Sequence, residues 1–148
     1  MMATEFELAL FEEELQSAQN LPEAIRWQLE RDKSVPLGLF ASMHPISKPT
    51  EIYKARIRWT DYFNPFYLKF INFETGADDD PTAWPIFFGS RPAALVACIS
   101  VTAEGHALHP DWKDSVDNAF PKVELPMQYA LLQVQFLLDS SYEGRGSR

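Results

Sequence analysis

The sequence predicts an α+β fold in which helices cover one face of an antiparallel sheet, and two periodicities predict it. Near both ends apolar residues recur at helical steps: Leu8, Phe11, Leu15 and Ala18, then Met127, Ala130, Leu131, Val134, Leu137 and Leu138. Between them residues 51–59 alternate, with Tyr53, Ala55, Ile57 and Trp59 set against Ile52, Lys54, Arg56 and Arg58. The first pattern makes a stripe on a helix; the second makes one apolar and one wet face on a strand.

The elements follow in order. Residues 4–20 predict the first helix, with Thr4 as N-cap and Glu7 three residues on as its capping-box partner. Glu12, Glu13, Glu14 and Gln16 are expected on its wet face. Pro22 suits the first position of a second, short helix through Ala24, Ile25, Trp27 and Leu29. Residues 35–41 predict a strand closed by His44-Pro45, residues 51–59 the next, and residues 66–73 a third after the turn at 61–65. Glu74-Thr75-Gly76 turns the chain, and Asp78, Asp79 and Asp80 read as a solvated loop. An irregular stretch leads to the last helix, and residues 139–148 read as a flexible polar tail. Trp27 and Trp59 are expected in the core; Trp84 and Trp112 are expected to pin the irregular stretch to the sheet.

A length of 148 residues predicts one domain, 1–148, large enough to form a core without metal or disulfide. The single cysteine suits a reducing compartment, and neither a transmembrane run nor a signal peptide is expected, so the reading is cytoplasmic. Thirteen basic against twenty-one acidic residues give a net charge of −8, which repels phosphate backbones, and no nucleic-acid or membrane partner is expected. The sequence has no Gly-rich phosphate loop, HExxH motif or Cys/His zinc spacing, so no cofactor or metal is expected.

Residues 79–112 gather the chemistry. They hold Cys98, in the apolar run 93–99, His106 and His109 eight and eleven residues later, and Trp84 and Trp112 among several prolines. An ordered loop rich in aromatics and prolines commonly presents a functional group. A lone cysteine in an apolar run also fits a small packed hydrophobe, and His109 before Pro110 fits a structural turn. His106 is the stronger imidazole candidate because the Glu104-Gly105 turn is expected to expose it. His44 is given no role.

In order and spacing the chain resembles the ubiquitin-conjugating (E2) family. Residues 53–62 resemble the second E2 strand and its turn, and Pro65-Phe66-Tyr67-Leu68-Lys69-Phe70 resembles the opening of the third. Phe70, Gly76, Asp80, Ala83-Trp84-Pro85, Gly89, Arg91-Pro92, Cys98, His109-Pro110 and Trp112 match the pattern of bacterial E2-like proteins. Residues 131–138 resemble a later E2 helix, so the likeness covers roughly residues 4–142. The His-Pro-Asn motif of eukaryotic E2s is missing, with Phe87-Phe88-Gly89-Ser90-Arg91 in its place. The resemblance therefore implies a bacterial UBC fold lacking the last two eukaryotic helices.

The resemblance implies that Cys98 carries the C-terminus of a ubiquitin-like protein, or of a cGAS-like nucleotidyltransferase, as a thioester and passes it to an amine. It implies a setting in antiviral, CBASS-type defence, with a separate E1-like activating protein as an optional further partner. A thiolate is the nucleophile, and a nearby cation or imidazole favours it, so Arg91, His106 and His109 are candidates. Ser90, or the backbone of Gly89-Ser90-Arg91, is the candidate to polarise the thioester carbonyl in place of the missing asparagine. Two other readings remain: a non-catalytic binding module on the same fold, and a cysteine hydrolase using Cys98 with His106 or His109. The first-helix acids are a possible contact for the activating enzyme.

Overall fold

The structure is a computed structural model that describes residues 3–22 and 27–147. It opens with helix α1 (Glu5–Ala18) and closes with helix α3 (Pro126–Ser141). Between them β1 (Glu30–Arg31), β2 (Gly38–Met43), β3 (Tyr53–Arg58) and β4 (Tyr67–Ile71) form an antiparallel meander in the order β1-β2-β3-β4. A separate hairpin, β5 (Ser90–Arg91) and β6 (Val96–Ala97), and a short helix α2 (Ala103–Leu108) follow. The expected α+β architecture is present. The short helix expected from Pro22 falls largely on residues 23–26, outside the described residues.

The alternation of β3 gives the core its floor. Register places Leu39 beside Ile57 and Ile57 beside Leu68, then Ala41 beside Ala55 and Ala55 beside Phe70, all fully buried. Lys54, Arg56 and Arg58 occupy the opposite, half-wet face. Residues of α1 and α3 complete one core with this floor, with Phe11 edge-on to Trp59 at 6.1 Å. Trp27 and Trp59 lie in that core, as expected.

Helix α1 starts at the predicted cap. Glu7 donates its N–H to Thr4 Oγ1 at 3.1 Å, and Thr4 donates its own to Glu7 Oε1 at 3.0 Å. The buried stripe differs from the expected one: it runs through Glu7, Phe11, Glu14, Leu15 and Ala18, while Leu8 is exposed. Glu14, expected in water beside Glu12 and Glu13, is buried because it accepts the Tyr62 hydroxyl at 2.5 Å. Glu7 likewise reaches Tyr62, accepting its N–H at 2.6 Å. Two carboxylates thus fasten α1 to the turn before β4.

Other elements also depart from the sequence reading. The first expected strand, 35–41, begins later, at Gly38, and gains β1 as an outer partner. Asp80 is buried rather than solvated, accepting from Thr82 N–H at 2.9 Å and from Asn72 Nδ2 at 3.0 Å. The expected flexible tail begins too early, because α3 runs on through Ser141, and the segment beyond it is docked. Glu143 N–H donates to Ile86 O at 2.8 Å, Ile86 N–H to Gly144 O at 2.7 Å, and Gly146 N–H to Trp84 O at 2.8 Å. These bonds satisfy backbone groups of the proline-rich segment 84–86. Among the described residues, no helix is long and apolar enough to cross a membrane.

Candidate active site

Cys98 sits one residue past β6, on a segment held from three sides. Its N–H donates to Gly89 O at 2.8 Å, extending the β5–β6 pairing. Gly89 has φ +89°, and a Cβ there would meet the Cys98 carbonyl oxygen at 2.9 Å and the Ile99 side chain. The hairpin turns through Pro92–Ala94 to Leu95, a left-handed residue at φ +57°. That conformation costs roughly 1–2 kcal/mol without glycine; Lys69 Nζ holds it by donating to Leu95 O at 2.6 Å.

On the far side Thr102 is the anchor. Its fully buried hydroxyl donates to Ala97 O at 2.7 Å and accepts from Gly105 N–H at 3.1 Å, so it closes the Cys98 segment and caps α2 together. Ala103 N–H then donates to Phe66 O at 2.7 Å, and the Glu104 carboxylate accepts Leu68 N–H at 3.2 Å. These bonds cover the outer edge of β4. Burial pushes the Glu104 carboxyl above its usual range, against the pull of its hydrogen bonds and of Lys69 and Arg56. Gly105 is required here, since a Cβ would run into the backbone of Ile99.

The segment alternates: Val96 and Cys98 are half-buried, Ala97 and Ile99 buried. Cys98 therefore faces away from the core, into a cleft of about 620 Å3. One wall is Gly89, Ser90 and Arg91; a second is His109, Trp112 and Asn118; the third is Gln133, Phe136 and Leu137 of α3 with Phe88. Phe88 and Phe136 stand largely exposed at the rim. The Phe88 rim is fixed from α3, as Phe88 N–H donates to Ser141 Oγ at 3.0 Å.

The predicted residues separate here. Cys98, Arg91, Ser90 and His109 come together around the cleft. His109 stacks on Trp112 with centroids 4.3 Å apart and planes 11° from parallel. His106, the stronger candidate from sequence, lies outside the lining. Its Nε2 is 2.7 Å from Ser100 O and its ring meets Trp112 edge-on, because Thr102 starts a helix where a loose turn was expected. The Ser90 hydroxyl is engaged in its own turn, accepting Phe87 N–H at 2.8 Å and lying 3.0 Å from Phe87 O as donor. It locks the turn, leaving little capacity for a substrate carbonyl. Trp84 anchors as expected, fully buried 5.1 Å from Phe70, whereas Trp112 is a wall of the cleft.

Sequence reasoning missed Asn118 and Gln133, the two side-chain amides of the lining. Gln133, Phe136 and Leu137 share one helix stripe at i, i+3 and i+4, a signal that was available beside the core stripe. Asn118 lies in a polar loop with no periodicity to mark it. Chemically the cleft offers a half-exposed thiol, an imidazole, one guanidinium and two amide donors between apolar walls, a set suited to an extended acyl chain. Among the described residues, no group of three or more His, Cys, Asp or Glu converges to hold a metal. No protein-family model matches the chain, nor does any curated protein or solved structure.

Proposed function

We propose that the chain is an E2-like acyltransferase that carries a polypeptide C-terminus as a thioester on Cys98. The observation that supports this most directly is the position of Cys98. A residue that would be packed away in a structural role instead turns its side chain into the cleft, on a segment braced by Gly89, Thr102 and Lys69. In the first step the Cys98 thiolate attacks the donor's thioester carbonyl; the donor carbon–sulfur bond breaks as the new one forms, and the donor thiol leaves. In the second, an amine attacks the Cys98 thioester, the amide forms as the carbon–sulfur bond breaks, and the proton lost by the amine ends on the departing Cys98 sulfur. Asn118 and Gln133 line the same cleft and are the candidates to donate N–H groups to the oxyanion of either step, Asn118 on releasing Ser115 Oγ.

The sequence resemblance carries the reading further. It assigns the cargo to the C-terminus of a ubiquitin-like protein or a cGAS-like nucleotidyltransferase, delivered by an E1-like protein in bacterial anti-phage defence. The hydrolase reading requires an imidazole bonded to the thiol; His109 is stacked on Trp112 and His106 faces Ser100 O, which favours the carrier role.

Intact mass after co-expression with the neighbouring genes tests the proposal. Wild type is expected to carry a thiol-sensitive adduct whose mass names the donor. Cys98→Ser is expected to hold it as a hydroxylamine-sensitive ester, and Cys98→Ala to hold none. Absence of any adduct, with Cys98 resisting alkylation until the protein unfolds, would point to the binding module.

A further inference from the structure

We infer that the cleft recognises an extended acyl chain bearing a carboxylate side chain close to its reactive carbonyl, and that Arg91 is the residue that selects it. The inference rests on the thioester reading of Cys98 and adds the chemical class of the donor.

Register provides the geometry. Arg91 pairs with Val96 across the hairpin, and Val96 and Cys98, two residues apart, share a face. Arg91 and Cys98 are therefore diagonal neighbours on the open face, about 7–8 Å apart along the backbone and somewhat less between Cβ atoms. Both line the cleft. An extended chain advances about 3.3 Å per residue. A guanidinium at that offset meets a side chain two or so residues before the one whose carbonyl is at the sulfur.

Charge provides the chemistry. Of the lining residues Arg91 alone carries a permanent charge, in a protein whose net charge is −8. The other described arginines are engaged within the chain. Arg31 pairs with Glu12, Arg56 with Asp78 and Arg58 with Asp32, and Arg145 donates to Thr82 O and Ile52 O. Among the described residues, Arg91 is the arginine left for a partner outside the chain. Asp111, Asp114 and Asp117, with the single cation Lys113 among them, lie exposed on the loop of the opposite wall and do not line the cleft, leaving that loop net negative. An anionic chain is thus drawn to the hairpin side and repelled from the loop side.

The test compares two peptidyl thiophenyl thioesters, acetyl-Leu-Asp-Ala-Gly and acetyl-Leu-Asn-Ala-Gly, loaded onto the full chain and followed by intact mass. In each, the carbonyl–thiophenol bond breaks, the bond to Cys98 Sγ forms, and thiophenol leaves with the thiol proton. Wild type is expected to load the Asp peptide about threefold to fivefold faster at low salt, the scale of an exposed charge pair, with the preference fading as salt rises. Arg91→Gln is expected to erase the preference, bringing the ratio of Asp-peptide to Asn-peptide rates to about one, and Arg91→Lys to retain it. Arg91→Glu is expected to favour a Lys peptide instead. Equal rates on wild type, or a preference that survives Arg91→Gln, overturn the inference and leave the thioester reading intact. Failure of both peptides to load on wild type overturns the two together.

Discussion

Strands β3 and β6 alternate in the same way and to different ends. In β3 the inward residues Tyr53, Ala55 and Ile57 are all at most 1% exposed, and neighbours on both sides fix the register from Lys54 to Arg58. Its outward Arg56 and Arg58 are tied to Asp78 and Asp32, at 3.1 and 2.8 Å. Strand β6 pairs over two residues with β5, and the open side of this hairpin presents the thiol of Cys98, one residue past β6, and an arginine with no partner among the described residues. A strand paired on both edges converts alternation into core. A short hairpin braced from behind converts the same alternation into an open, fixed surface, where reactive groups can stand without water-filled disorder.

Two substitutions break that contrast in opposite ways. Ile57→Ala leaves a cavity at the centre of the sheet and is expected to cost about 2–5 kcal/mol of stability in urea titrations. The rate at which iodoacetamide alkylates Cys98 in the protein that stays folded is expected to be unchanged, because the hairpin makes no use of that side chain. Gly89→Ala forces a left-handed alanine against the Cys98 carbonyl and is expected to cost less, about 1–3 kcal/mol. It should nonetheless change the alkylation rate several-fold, since Gly89 O and Cys98 N–H form the bond that aims the thiol. Equal effects of the two variants on alkylation would mean that sheet and hairpin move as one unit.

The same contrast explains what the sequence reveals. Helix α1, the alternation of β3 and the stripe of α3 are local patterns, and each appears where its period places it. The cap at Thr4 is equally local. What escaped depends on distant partners. Glu14 reads as one of three solvated acids until Tyr62, 48 residues away, donates to it. Asp80 reads as the end of an acidic run until Asn72 and Thr82 surround it. Residues 143–146 look like a polar tail because the irregular segment they accompany, 84–86, comes beside them only in the fold. At the site, Cys98, Arg91 and His109 were legible as residue types. Their placement was not, since Thr102, an unremarked residue, decides that His106 turns to Ser100 O while His109 reaches the cleft.

The smallest effect expected is a change in the pH dependence of stability, and it sets two acids of α1 against each other. Burial pushes the Glu14 carboxyl above its ordinary value of 4.5, against the opposing pull of the Tyr62 hydroxyl and the α3 backbone. Tyr62 is itself pushed up, first by burial and then by its bond to Glu14, so it remains the donor. Glu7 moves the other way, lowered by the N–H groups of Thr4 and Tyr62. Just above pH 4.5 the folded state keeps a proton on Glu14 that the unfolded chain releases, so this group's contribution is present in acid and lost as pH rises through its folded value. Glu7 contributes stability above 4.5 that is lost as pH falls through its lowered value. Glu14→Gln keeps an acceptor for Tyr62 and removes the titration. It is expected to flatten the decline of the urea midpoint between pH 4.5 and neutrality, while leaving the loss at lower pH in place. Glu7→Gln is expected to do the reverse. Parallel midpoint curves for Glu14→Gln and wild type would show that Glu14 titrates alike in both states, and that its burial beside Tyr62 does not govern how α1 is held on the sheet.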